Sequence, residues 1–334
     1  MAGNMQHHVW QMLQRGFGEK RGRDHHVWVY RKSEPAKRTA TRLFGVEKHF
    51  YGSEGSKADA NITKYESENQ SAIQDIRKLP HGAEVDPEFV SVLIAHLEMR
   101  SAFLREEVAT KLQKAVGGLV QGFRSPEKLR AMMLAHLKEN PEELDKWLAQ
   151  SFMPQNQRSD FAEIAHQMIA RLPDDQILAS MEAGFDEMGK IACQFPDLMK
   201  EGQNKAFVEN VANETRSKLH VERDYSVYRL DTGAFILPDT TLAFVTAKGA
   251  TPFFQKEYEV EAVILPIASD AAIVGKTKAR GDYPLKAMNR LLAACSYQAF
   301  LAKEQTASFQ GLTGRIGKYA NMISEGALRG LVQE

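Results

Sequence analysis

The chain has 334 residues, 43% hydrophobic and 26% charged, a balance that excludes a disordered polypeptide and leaves ample apolar mass for a core. Formal charge is zero at pH 7, yet Met1–Lys48 holds ten bases against four acids, an excess of +6 that the remainder offsets with −6. Two cysteines, Cys193 and Cys295, make neither a disulfide framework nor a zinc site. No apolar run reaches the roughly 20 residues of a membrane span, and the N-terminus lacks the order of a signal peptide. A cytoplasmic protein with no membrane partner is expected.

In chain order, Gln6–Phe17 gathers histidines, carboxamides, an arginine and several bulky apolar anchors at a terminus that would ordinarily fray. His7, Gln11 and Arg15 are spaced to form one polar stripe if this segment is helical. His26–Arg31 alternates in the manner of a strand. The four letters His-His-Val-Trp occur at His7–Trp10 and again at His25–Trp28, far too short for an internal repeat.

From Ala60 the spacing turns helical, through Ile62, Tyr65, Asn69, Ile73 and Ile76. Asp86-Pro87 is an N-cap followed by proline at the first helical position, and it opens a long helix expected to reach Leu112. Ser125-Pro126 and Asn140-Pro141 repeat that start. Further helices are expected over Asp160–Arg171, Asp174–Phe185 and Ala206–Leu219. At Glu222 the period becomes two, with strands expected at Tyr225–Leu230, Ala234–Pro238, Leu242–Thr246, Val260–Leu265 and Ala271–Val274. Helices are expected again over Leu285–Lys303 and Tyr319–Leu331.

The order defines an α+β fold, a mainly helical body with a small, mostly antiparallel sheet built from an N-terminal strand and a C-terminal meander. One domain over 1–334 is expected, with an N-terminal segment and strand (1–52), a helical region (60–220), a sheet plus helix (222–304) and a C-terminal helix (305–334).

No phosphate-binding loop, dinucleotide fingerprint, His-Glu-x-x-His or paired Cys-x-x-Cys occurs. Arg130-x5-His136 matches a loose ribonuclease pattern, but a six-residue offset puts the two side chains on different helical faces.

An ordered set of segments nevertheless resembles the family known as domain of unknown function 4238. These are Gln6-His7-His8-Val9-Trp10 running to Arg15-Gly16-Phe17, the strand Trp28-Val29-Tyr30, and Glu47–Tyr51. They continue with Ile62–Glu66, the helix end Ile94–Arg100, Phe235-Ile236-Leu237-Pro238-Asp239, and Leu265-Pro266-Ile267. Two positions depart from the family pattern. Trp10 stands where it has proline, and Leu237-Pro-Asp-Thr-Thr241 stands where it has Thr-Ser-Asp-Asn-Pro.

The resemblance implies His7, Glu66, Arg100 and Asp239 as polar landmarks and implies no activity; Gln11 and Arg15, spaced on the stripe from His7, are expected as neighbouring substrate contacts. Their chemistry suits phosphodiester hydrolysis. An imidazole can move a proton, a carboxylate can orient it, and a guanidinium can fork a phosphate. A nucleic-acid or nucleotide hydrolase, of the kind used by toxin-like or phage-defence effectors, is therefore one expectation. Its substrate would meet the basic N-terminal segment, and a divalent cation (Mg2+ or Mn2+) would find ligands in the carboxylates and His7. The other is a non-catalytic module whose helical middle binds a protein, or a ligand sensor, with the same cluster serving structure.

Overall fold

The computed structural model describes residues 5–143, 146, 158–211, 214–256, 258–277 and 283–320. The fold is mixed α+β with antiparallel sheets, as the pattern predicts. Its strands are shared among two five-stranded sheets and one two-stranded pair. Apolar positions from both larger sheets face a common core, which includes Val27, Val29, Leu237, Phe244, Ile264, Ile273 and Phe300.

The N-terminal part supplies β1 (Met5–His7), α1 (Gln11–Arg15), β2 (Glu19–Arg21), β3 (Asp24–Arg31), β4 (Lys37–Ala40) and β5 (Val46–Lys48). The strands of the expected meander are β6 (Asp224–Arg229), β7 (Leu237–Pro238), β8 (Ala243–Thr246), β10 (Val260–Ala268) and β11 (Ala271–Lys276), joined by an unexpected short β9 (Gly249–Thr251). Most of them form one sheet in the order β6-β11-β10-β8-β9. The other sheet, β2-β3-β12-β7 with β4 on β3, pairs the N-terminal strand with β12 (Ala299–Ala302). Leu285–Lys303 is thus a helix only over Leu285–Cys295, after which the chain turns extended at Ser296. The Asp239 carboxylate accepts the next three amides, from Tyr297, Gln298 and Ala299, at 2.7–2.8 Å, and so delivers the following residues to the sheet.

Two further corrections fall in the helices. The helix begun at Asp86 ends at Arg100, so that α3 (Pro87–Arg100) and α4 (Ala102–Phe123) are separated by extended Ser101. The apolar pattern runs through that point without punctuation. The break coincides with tertiary demands, for Gln203 donates to the Met99 carbonyl and Arg105 reaches the Phe50 carbonyl at 3.0 Å. The helix begun at Asp174 runs unbroken to Glu209 through Pro196, and of the described remainder of the expected Ala206–Leu219 helix Glu214–Ser217 is helical. The rest of the helix start at Asn140 and the body of the expected C-terminal helix lie outside the described residues.

The chain divides into two compact units. The first, residues 1–108 and 196–322, holds the sheets, α1, α2 (Lys57–Ile76) and α3. Val90, Leu93, Ile94 and Leu97 of α3 join the main core, and a smaller cluster of Phe50, Tyr51, Ala58, Ile62 and Phe207 lies beside it. The second, whose described part falls within 109–195, is helical and centres on Leu129, Ile177 and Phe185. There Arg130 pairs with Asp174 at 2.8 Å while His136 faces Glu143 at 2.9 Å, so the two members of the ribonuclease-like spacing serve different contacts.

Candidate functional site

The N-terminal segment is tied down from the main chain outward. β1 pairs with β5, and beyond it the Gly45 carbonyl accepts from the amides of His8 (2.8 Å) and Val9 (3.3 Å). Gly45 sits at φ +61°, and a Cβ there would lie 2.7 Å from the Cβ of Val9, so only glycine lets the two strands close. Tyr51 contributes its amide to the Gln6 side chain at 2.6 Å and its hydroxyl to the His7 carbonyl at 3.1 Å.

Onto this segment α3 lowers Arg100, whose side chain is 2% exposed. Nε donates to the His7 carbonyl at 3.0 Å, Nη2 donates to the same oxygen, and Nη1 meets the Glu66 carboxylate of α2. Burial alone would lower the guanidinium pKa, but Glu66 and Tyr51 outweigh it and the net shift is upward. The structure therefore joins three of the four landmarks, with His7 taking part through its backbone.

The His7 imidazole points elsewhere. Its Nδ1 lies 3.2 Å from the Phe44 carbonyl, an acceptor only, so Nδ1 carries the proton and Nε2 the lone pair. Burial first, and Arg100 second, lower this histidine to about 4, and the same two causes lower His8 to about 3. Both rings are neutral at pH 7 and weak as bases.

Asp239 stands apart, with no hydrogen bond or ion pair to the other three. Besides the three amides it accepts, its own amide donates to Ala299 at 3.0 Å. Burial pushes its carboxyl up to about 6 even against those donors. Gln11 and Arg15 pair with each other at 2.9 Å on the outer side of α1, whose Met12, Leu13 and Gln14 are buried, and His7 is on a strand rather than on that helix. The expected three-residue polar stripe is therefore absent, because the chain turns at Trp10 before the helix begins.

The departures from the family pattern have different structural weight. Trp10 has φ −53°, within reach of proline, and is 2% exposed, so it keeps the backbone path and adds buried surface. Thr241 has φ +70°, which proline cannot adopt, so the turn after Asp239 is built differently from that pattern.

A second polar centre lies on the same helix. Glu98 is fully buried and accepts from Arg216 Nε (3.0 Å) and Nη2 (2.8 Å), His220 Nε2 (2.9 Å) and the Phe254 amide (2.7 Å). Burial would raise its carboxyl pKa, but His220 and Arg216 hold it below the usual range. Arg223 lies 3.3 Å from the other ring nitrogen of His220, which stacks on Phe244. The sequence carried one signal for this centre, since Glu98 falls four residues after Ile94 and so lies on the apolar face of its helix.

Among the described residues no group of three or more His, Cys, Asp or Glu side chains is arranged to hold a metal ion, and no helix is long and apolar enough to cross a membrane. His7, Glu66, Arg100 and Asp239 line none of four surface cavities of 470–790 Å³.

These features define an α+β protein closed by a buried arginine clamp on its N-terminal strand. The sequence model of the family described as "Protein of unknown function (DUF4238)" matches residues 5–304, and the chain belongs to that family. No curated protein and no solved structure matches it.

Proposed function

We propose that the protein is a binding module and that the His7–Glu66–Arg100 assembly holds its fold together rather than performing chemistry. One observation carries this reading: all three guanidinium nitrogens of Arg100 are engaged by His7 and Glu66, on a side chain 2% exposed. A phosphate could reach that fork only by displacing the N-terminal strand. The helical unit supports a binding role with apolar side chains open to solvent, including Met132 (49%), Ile164 (44%), Met168 (63%) and Ile191 (46%). An exposed free Cys193 suits a reducing, cytoplasmic setting.

The test is thermal melting of Glu66→Gln alongside incubation of the wild type with RNA, DNA and nucleotides, with and without Mg2+ or Mn2+. The reading expects a large drop in melting temperature and no turnover. Turnover by the wild type that a folded Glu66→Gln or His7→Ala variant has lost would overturn it.

A second reading, hydrolysis of nucleotide or nucleic-acid phosphodiesters, draws on a different observation. Glu106 and Tyr297 are hydrogen-bonded, burial raises both, and Asp239 at about 6 lies close enough to Tyr297 to raise it further. The raised carboxyls of Glu106 and Asp239 move toward neutrality and suit proton transfer, while Tyr297 stays protonated as a hydrogen-bond donor. Turnover in the same assay, lost in Glu106→Gln, would favour it.

A further inference from the structure

A groove of about 790 Å³ opens in the first unit between the helix Leu285–Cys295 and the stretch 304–315. Its volume lies in the range of roughly 300–1,000 Å³ typical of small-molecule sites. Lys286 and Arg290 are one helical turn apart and share a face, and Arg315 approaches from the short 3₁₀ turn Thr313–Arg315. Among the described residues none of the three has an ion pair or a side-chain hydrogen bond. By contrast, the half-buried Arg216 and Arg229 pair with Glu98 and, at 2.7 Å, with Asp270. Three like charges around one groove repel one another, and a bound anion relieves that repulsion.

The walls are already fixed in place. Asn289, on the same helix, spends its amide on the Ile236 amide (3.2 Å) and the Ala234 carbonyl (2.8 Å). The Glu304 carbonyl accepts from the Tyr30 hydroxyl at 2.9 Å, and the Thr306 hydroxyl caps the Phe309 amide at 3.1 Å. Ser308 and the carboxylate of Glu304 remain to face a ligand, while Leu285, Phe309 and Leu312 provide apolar surface. The groove thus offers cations for an anion, one carboxylate for hydroxyl donors and an apolar floor.

We propose that this groove binds a sugar phosphate, either free or as part of a nucleotide. The phosphate lies among Lys286, Arg290 and Arg315, Glu304 accepts from the sugar hydroxyls, and the apolar floor receives the sugar or its attached base. The inference gives the binding reading above a ligand and a place, and it does not depend on the Arg100 clamp.

Titration calorimetry and ligand-dependent melting of the full chain with ribose 5-phosphate, adenosine 5′-phosphate, adenosine and inorganic phosphate test it. Ribose 5-phosphate is expected to bind and to raise the melting temperature. A still tighter nucleotide identifies the nucleotide form, and equal binding identifies the free sugar phosphate. Arg290→Glu and Arg315→Glu, at solvent-reaching positions where the unliganded fold should hold, are each expected to weaken binding by about tenfold or more. Glu304→Gln is expected to weaken ribose 5-phosphate and spare inorganic phosphate, and Lys286→Gln serves as a milder control if a charge reversal lowers the unliganded melting temperature. The proposal is overturned if neither phosphorylated sugar binds in the millimolar range, or if binding is indifferent to Arg290, Arg315 and Lys286. Either result leaves the clamp reading to its own melting test, and binding lost only in a folded Glu66→Gln variant would overturn both.

Discussion

Arg100 grips the main-chain carbonyl of His7 with two of its nitrogens, Nε at 3.0 Å and Nη2, and turns the third toward Glu66. A lysine offers one compact ammonium and cannot span both acceptors. Arg100→Lys and Arg100→Ala should therefore both loosen β1, and Ala should cost about 3–5 kcal/mol by leaving Glu66 without its cation. Denaturant unfolding measures the loss, and amide exchange at Gln6–Val9 locates it. Unchanged unfolding in Arg100→Ala would sink the clamp.

Glu98 collects four donors with no exposed surface of its own. Glu98→Ala would take the buried carboxylate from Arg216 and His220, and a loss of about 3–5 kcal/mol is expected. A double-mutant cycle with Arg216→Ala should show strong coupling, because the second deletion removes a cation whose carboxylate is already gone. Additive losses would mean that Glu98 is held mainly by His220 and the Phe254 amide.

Stability should fall in mild acid. Burial first, and Arg100 second, lower His96 to about 3, and His8 and His7 are likewise lowered, to about 3 and about 4. Each takes a proton in the unfolded chain near the ordinary 6.5 but stays neutral when folded. Between those values unfolding binds protons, so stability declines as pH falls. Asp239, raised to about 6, works the other way, since the folded protein binds its proton first and offsets one histidine below pH 6. The four groups together leave a net uptake of up to two protons, a slope of up to about 2.7 kcal/mol per pH unit. Urea midpoints at pH 7 and pH 5 check this, and His96→Phe should make the decline shallower. A midpoint that does not move between the two would refute it.

Asp239→Ala should be destabilising without touching the core. It orphans the amides of Tyr297, Gln298 and Ala299 at the entry to β12, and a loss of at least about 2 kcal/mol is expected. Asp239→Asn should recover only part of it, because an amide nitrogen facing backbone N–H groups cannot accept. Thermal melts of the pair decide the matter, and equal stability of both variants with the wild type would show the three bonds to be dispensable.

Local chemistry made some elements readable. Asp86 caps α3 by accepting the Glu88 amide at 3.0 Å, and Ser125 caps the helix Pro126–Glu139 through the Lys128 amide at 3.4 Å, both with the proline that marked the start. The switch to period two after Glu222 likewise marked real strands. What stayed hidden depends on distant partners. Nothing near Ser101 signals a break, and Gln298–Lys303 reads as helix until Asp239, some sixty positions earlier, captures its amides. The site divides in the same way. The pairing of Glu66 with Arg100 was within reach of the ordered motif, whereas His7 enters through a carbonyl that every residue possesses, which no side-chain pattern can announce.

The pairing of β3 with β12 sets a timetable for synthesis. The Tyr30 hydroxyl finds its acceptor on Glu304, 274 residues further on, and the sheet between them cannot close until that stretch has left the ribosome. At about 5–20 residues per second the wait is roughly 14–55 s, during which β3 presents Val27, Val29 and Tyr30 without their final neighbours. Until β12 emerges the edge of β3 that it covers stays open, although β2 and β4 can already pair with β3.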